Sequence, residues 1–496
     1  MGIQGLLPNI DKVSRIKKID EFKGKRVAID TYGWLHRSAA NCAEDLVLGR
    51  STRMHIQYCI DRVNLLKSKG IIPVCIFDGA PLPMKRVTEE ERHMKRLEAK
   101  KELLQLEKSR KCSNSYEIRN LCQRALDITP DIAHQVIEEL RDHHGIECIV
   151  APYEADAQLS YLCRTGYVDA VITEDSDMLV FGSPCTIYKH DDKTGICRVI
   201  YWGDLPRSGI LRQNIFTYEM FVLGCTLTGC DYVKSPQGVG IKTAMKLVQE
   251  YYGDLERIIL QLQTIGKNVS SDYSINVQKA LITFFHQTVY DPPSQKLVPL
   301  SKSTLPQYNN SNNIKVSNIP IFREYNPEKQ IENNNMYEFV GPFLEEKLAR
   351  NICMGYIHPE TLRAYSTNEA VSEEVVDEIT SYAISTEKKE NLGGYNNVKG
   401  HEGVLEQLSN KIQQNEQLYY SEELLEISAK EVNSEANTEN KSNCNLKWYD
   451  KANMGRKVKR RAIWLNAMAR KDLPKYDTIS PNDQLIIQSL DNYSFH

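Results

Sequence analysis

Short apolar runs that end on an acid recur along the chain: Val27-Ala28-Ile29-Asp30, Val74-Cys75-Ile76-Phe77-Asp78 and Val171-Ile172-Thr173-Glu174-Asp175-Ser176-Asp177. Unbroken apolar runs of this length predict strands buried on both faces. Residues 26–30, 71–77, 147–151 and 168–173 are the expected strands, with helices starting at 31–37 and spanning 153–164 between them. Such alternation predicts an α/β core around a mainly parallel sheet.

Two stretches depart from this rhythm. Residues 85–111 hold ten Lys or Arg and six Glu with few large apolar side chains, so a helix there cannot bury a full face. Glu/Lys pairs at i,i+4 on a solvated surface are the plain explanation. Residues 116–143 read as amphipathic helices restarted at Thr129-Pro130, where a cap is expected. Around Ser235-Pro236-Gln237-Gly238-Val239-Gly240 the chain turns and enters a helix over 242–251. Helical periodicity returns at 337–363, whereas 366–445 is acidic and polar, a composition that predicts disorder. The expected division is a first region at 1–110, an internal region at 111–235, the rest of the core at 236–365, and a largely disordered tail at 366–496 with a basic segment at 447–471.

Composition narrows the class only modestly. Of 496 residues 41% are hydrophobic, enough for a large core, and the net charge of −3 averages basic stretches against an acidic rear. Thirteen cysteines show no CxxC pair and no zinc spacing, which predicts reduced thiols; Cys225 and Cys230 are expected in the core. No 18-residue apolar run and no basic-then-apolar leader occur, so neither a membrane span nor secretion is expected.

The acids carry the chemistry. In an open parallel sheet, ligands bind beyond the carboxyl ends of the strands, where Asp30, Asp78, Glu154, Asp156, Asp175, Asp177 and Asp231 can converge. Two unit charges about 4 Å apart repel by roughly 4 kcal/mol even at an effective dielectric near 20. Bound divalent cations relieve that repulsion, and an oxygen-only ligand set suits Mg²⁺ or Mn²⁺ rather than zinc. Two cations about 4 Å apart suit in-line displacement at a phosphodiester.

These acids, together with Met1-Gly2-Ile3-Gln4-Gly5-Leu6-Leu7-Pro8, Tyr153-Glu154-Ala155-Asp156-Ala157-Gln158-Leu159 and Thr173-Glu174-Asp175-Ser176-Asp177, resemble the structure-specific 5′ nucleases of the flap endonuclease/XPG superfamily. The resemblance covers about residues 1–365 and is nearest to the exonuclease 1 branch. The spacer from Asp78 to Glu154 is short, unlike the excision-repair endonucleases, and Asp156 stands where flap endonucleases usually carry Glu. It implies a PIN-like nuclease core, a helical arch from about residue 85 to 128 and a helix-two-turn-helix region near 225–260.

By the same resemblance, the seven acids hold two Mg²⁺, replaceable by Mn²⁺, with Asp30, Asp78 and Asp177 among the catalytic set. Lys85 and Arg92 steady the scissile phosphate; seven residues apart on one helix, they would share a face. Gly2, Tyr32, His36, Lys85, Arg92, Gly238, Gly240 and Lys242 are the implied DNA contacts, Tyr32 by stacking on an unpaired base. The Gly238–Gly240 turn, whose Thr243 spoils a dinucleotide fingerprint, would approach a phosphate and hold K⁺. The implied activity is 5′ to 3′ hydrolysis of duplex DNA from ends, nicks and gaps, with cleavage of 5′ flaps, by a nuclear monomer in DNA repair. A replication-type flap endonuclease would need a clamp-binding motif, and none is evident. A non-catalytic DNA-binding scaffold would have no use for a repulsive acidic cluster. The Gly455-Arg456-Lys457-Val458-Lys459-Arg460-Arg461 run reads as an import signal or a nucleic-acid patch, and mismatch-repair or replication proteins are the partners a tail could engage.

Overall fold

The structure, a computed structural model, describes residues 2–108, 115–303 and 337–365. The tail expected beyond residue 365, with its basic segment, lies outside the described residues. A seven-stranded sheet forms the centre: β1 (Arg15–Lys18), β2 (Arg26–Asp30), β3 (Ile72–Phe77), β4 (Glu147–Val150), β5 (Ala170–Ile172), β6 (Cys185–Tyr188) and β7 (Ile196–Tyr201), in the order β1-β7-β6-β5-β2-β3-β4. β2 pairs in parallel with both β3 and β5, β3 with β4, and β5 with β6. β7 runs antiparallel to β6 and to β1. The sheet is therefore mainly parallel, as expected, with an antiparallel edge.

Alternation along β2 explains the two cores. Ala28 faces one apolar cluster with Leu159, Leu162 and Phe221, while Val27 and Ile29 face the other with Trp34, Leu35 and Val63. With both faces covered, every side chain in the run must be apolar until the strand leaves the sheet at Asp30. After β2 the chain builds β3 and β4 on one side, then returns to place β5 and β6 on the other. The switch between β2 and β5 opens the crevice in which α/β proteins bind ligands.

Several boundaries differ from expectation, each for a local reason. The helix expected at 153–164 starts at Ala155. Tyr153 is buried and donates to the Pro342 carbonyl at 2.6 Å, and Glu154 keeps an extended backbone, so neither joins the helix. The charged helix spans Arg86–Lys108, and Lys85 ends a preceding 3₁₀ turn, Pro83–Lys85. Thr129 caps the helix Pro130–Glu138 by accepting from the Ile132 amide, as its sequence position predicts. The periodicity at 337–363 yields one α-helix, Glu346–Cys353; beyond it Ile357 and Ala364 bridge in a small hairpin. Cys225 is buried, Cys230 packs half-buried against the same core, and the eleven cysteines among the described residues are all free. No helix among the described residues is long and apolar enough to cross a membrane.

Candidate active site

All seven acids reach the crevice at the strand ends. Asp30 closes β2 and caps the helix Thr31–Ala39: its Oδ1 accepts from the Gly33 amide at 3.0 Å and its Oδ2 from Thr173 Oγ1 at 2.9 Å. Asp78 follows β3 and accepts from the Ala155 amide at 2.7 Å, so the first turn of the helix Ala155–Arg164, 77 residues away, fixes it. Asp175 Oδ1 accepts from the Asp177 amide at 3.0 Å, and Asp177 Oδ1 from the Ile3 amide at 3.0 Å. The N-terminal segment thus sits directly on the acids. At Gly2, with φ of +82°, a Cβ would collide with Asp175 Oδ1, Ser176 Oγ and Asp177 Oδ1. Only glycine fits there, both for its left-handed backbone and for space.

The acids sense one another across the crevice. Asp156 is pushed well above the ordinary carboxylate range, first by burial and then by Asp175, Asp30 and Asp177, with Lys85 pulling the other way. Asp177 is raised by burial, Asp175 and Asp231; Asp175 is raised chiefly by burial. Burial also pushes Asp78 up to about 6, although Lys85 and the Ala155 amide lower it. Among the described residues no three acidic, His or Cys side chains close on one point as a finished coordination shell.

Glu154 and Asp231 stand in a different environment. Lys85 Nζ lies 2.8 Å from Glu154 Oε1 and 3.1 Å from Asp231 Oδ2, and Arg92 lies 2.9 Å from that same Oδ2. Burial works to raise the Asp231 carboxyl, but Lys85 and Arg92 outweigh it and hold the group below its usual value. Lys85 and Arg92 therefore do meet at one place, although only Arg92 belongs to the helix. Thr88 Oγ1 donates to the Asp231 carbonyl at 2.7 Å and fastens the same helix to the loop.

Tyr32 and His36 project beside this crevice from the helix that Asp30 caps, with ring centroids 6.4 Å apart. Tyr32 is half-buried and its phenol is raised by burial and by Asp78, whereas His36 is exposed. Gly238 and Gly240 lie elsewhere, between the helices Tyr218–Thr228 and Ile241–Glu250, and Lys242 in the first turn of the latter. Gly238 takes φ of +77° and Lys267 Nζ lies over it; Gly240 has ordinary φ and open space where a Cβ would be.

Some partners escaped the sequence. Thr173 orients Asp30, and Tyr232 and Gln287 both donate to Glu154 Oε2, Gln287 at 3.0 Å. Tyr232 and Thr173 neighbour predicted acids and were within reach of inspection. Gln287, 133 residues from Glu154, carries no local signal.

Sheet order, an acid-lined crevice at the switch point and a charged helix rooted beside it define an α/β protein with an acidic candidate metal site. Residues 1–99 match the XPG N-terminal domain and residues 145–231 the XPG I-region. The chain is 36% identical over 392 residues to exonuclease 1 of Arabidopsis thaliana, covering 78% of this chain and 49% of that protein. It is 34% identical over 304 residues to the DNA damage-inducible protein DIN7 of Saccharomyces cerevisiae, covering 61% of this chain and 69% of that one. Among solved structures it is similar to flap endonuclease-1 from Methanococcus jannaschii, at 21% identity and a TM-score of 0.39 over 56% of this chain and 84% of that one. The chain belongs to the exonuclease 1 branch of the XPG/flap endonuclease superfamily. It spans about half the length, or less, of the exonuclease 1 relatives from Arabidopsis thaliana, Oryza sativa and Xenopus laevis.

Proposed function

We propose that this chain is a Mg²⁺-dependent 5′ to 3′ exodeoxyribonuclease that works on duplex DNA ends, nicks and gaps and also cuts 5′ flaps. The observation that carries the reading is the convergence of Asp30, Asp156, Asp175 and Asp177 at a strand-switch crevice, where Asp30, Asp175 and Asp177 all act to raise Asp156, beside the cationic side chains of Lys85 and Arg92. The donor set fits divalent cations: it is all oxygen, and burial makes the anionic forms costly until a cation compensates them. Asp30, Asp78, Glu154, Asp156, Asp175, Asp177 and Asp231 would hold two Mg²⁺, directly or through water. When bound, such ions activate water and stabilise the leaving oxygen.

The chain's own groups supply the rest. Lys85 and Arg92 stand at the base of the charged helix, where they can orient the scissile phosphate and stabilise charge developing on it. Tyr32 offers a face for a base unpaired from the duplex end, an unpairing that costs a few kcal/mol, and His36 lies next to it on the solvent side. Gly2 lets the N-terminal backbone approach the metal-side acids and the DNA. Gly238, Gly240 and Lys242 would contact the uncleaved strand through phosphate, without sequence preference, and hold a K⁺ ion there. DNA repair and resection in the nucleus, by a monomer, are the role this implies, with mismatch-repair or replication partners engaged through the tail. Asp156, in place of the Glu that flap endonucleases usually carry, favours the exonuclease over a replication-type flap enzyme. The test is digestion of 3′-labelled blunt, 5′-recessed and flapped duplexes with Mg²⁺ or EDTA, by wild type and Asp177→Ala. Stepwise Mg²⁺-dependent loss from the 5′ end, absent in the variant, is expected. Duplex binding without cleavage under every condition would leave a scaffold.

A further inference from the structure

We infer that Gln287, with Tyr232, is a positioning residue that aims the Glu154 carboxylate at the metal site; the inference rests on the divalent-metal reading above. Glu154 starts the helix Ala155–Arg164 without capping it, so its carboxylate is free to be oriented from outside. Three groups from distant parts of the chain do so. Lys85 Nζ takes Oε1 at 2.8 Å, while the Tyr232 hydroxyl and Gln287 Nε2, the latter at 3.0 Å, both donate to Oε2. Two donors on Oε2 occupy its lone-pair directions, so only Oε1 has capacity left to face the crevice.

Gln287 is built for this one contact. It ends the helix Tyr273–His286 and leads into β8 (Thr288–Asp291); its amide donates to the Thr283 carbonyl at 3.1 Å and its own carbonyl accepts from Leu300 at 2.9 Å. Its backbone is thereby fixed on both sides. The side chain is fully buried, and its Oε1 has no hydrogen-bond partner among the described residues. Because a carboxylate only accepts, the NH₂ group must be the end that faces Glu154. A buried amide satisfied at one end only is costly, and an apolar side chain would fill the space more cheaply. The surviving interaction is the one that holds Glu154.

The test uses the full chain without DNA, titrated with Mg²⁺ and followed by melting temperature, for wild type, Gln287→Leu and Tyr232→Phe. Both variants are expected to melt close to wild type in EDTA, while the Mg²⁺ concentration that gives half the maximal shift rises about tenfold or more, as for outer-shell partners of other metal sites. In cleavage assays the rate deficit should shrink as Mg²⁺ is raised, with KM for the duplex unchanged. An unchanged Mg²⁺ requirement in both variants, or a loss confined to melting in EDTA, would overturn the inference. A wild-type chain with neither a Mg²⁺ shift nor cleavage would instead sink the functional reading on which it rests.

Discussion

The two sides of the acidic crevice solve the same electrostatic problem in opposite ways. On one side Glu154 and Asp231 are neutralised from within, by Lys85, Arg92 and neutral donors. On the other, Asp156, Asp175 and Asp177 face one another, and among the described residues the hydrogen bonds that reach Asp177 and Asp175 come from backbone amides. No hydrogen bond reaches Asp156 among the described residues. The contrast teaches where external charge is needed most: the lysine side is already partly compensated and oriented by protein groups, whereas the aspartate side depends on cations for its compensation.

Removing a charge from each side should therefore shift stability in opposite directions. Asp177→Asn keeps an oxygen for the Ile3 amide but relieves repulsion, so the metal-free protein should melt higher while cleavage falls by more than about 100-fold. Lys85→Ala leaves Glu154 without its cation and Asp231 with Arg92 alone, and should cost about 3 kcal/mol in stability together with a comparable loss of activity. Melting curves in EDTA, paired with single-turnover rates, check both; a destabilised Asp177→Asn would erase the distinction.

Gly2→Ala probes how tightly the aspartate side is framed. A left-handed backbone costs a non-glycine residue about 1–2 kcal/mol, and the new methyl must displace Asp175 or Asp177. A displacement near 1 Å is expected to lower the cleavage rate by about 100-fold, measured at saturating duplex so that weakened DNA binding does not enter the rate.

Proton linkage sharpens the comparison further. Asp78 is protonated in the folded chain below about pH 6 but in the unfolded chain only below about pH 4, so between these values the folded state binds more protons. Stability of the metal-free protein should therefore fall as pH rises through this window, and Asp156 and Asp177, raised for like reasons, act in the same direction. Mg²⁺ should raise the melting temperature more at about pH 8 than at about pH 5.5, with the two curves in EDTA showing the cause. The smallest effect is expected of Tyr32→Ala, outside both sides: loss of one stacked base, about tenfold in rate on blunt duplexes, with the Mg²⁺ requirement unaltered.

Much of this was legible because the parallel core writes its strands as apolar runs that stop where a side chain must change environment. Asp30 and Asp78 declare themselves by ending such runs, and Asp175 and Asp177 by following one. The antiparallel edge was not read: β1 is the charged Arg15–Lys18, and β6 and β7 form a hairpin whose Asp191-Asp192-Lys193-Thr194-Gly195 turn, with Gly195 at φ of +68°, was the signal passed over. Lys85 was assigned to a helix it only precedes, since a 3₁₀ turn and an α-helix share much of their local pattern. Gln287 stayed hidden because its meaning lies in a contact across 133 residues. Local pattern reveals which groups stand at the crevice; tertiary contacts decide which of them are already neutralised.

Crystals soaked in Mn²⁺ offer the most direct measurement. Anomalous scattering should reveal its strongest peak among Asp156, Asp175 and Asp177, with any second peak toward Asp30 and Asp78 and none between Lys85 and Asp231. A dominant peak on the Lys85 side, or no peak in the crevice at all, would contradict the account.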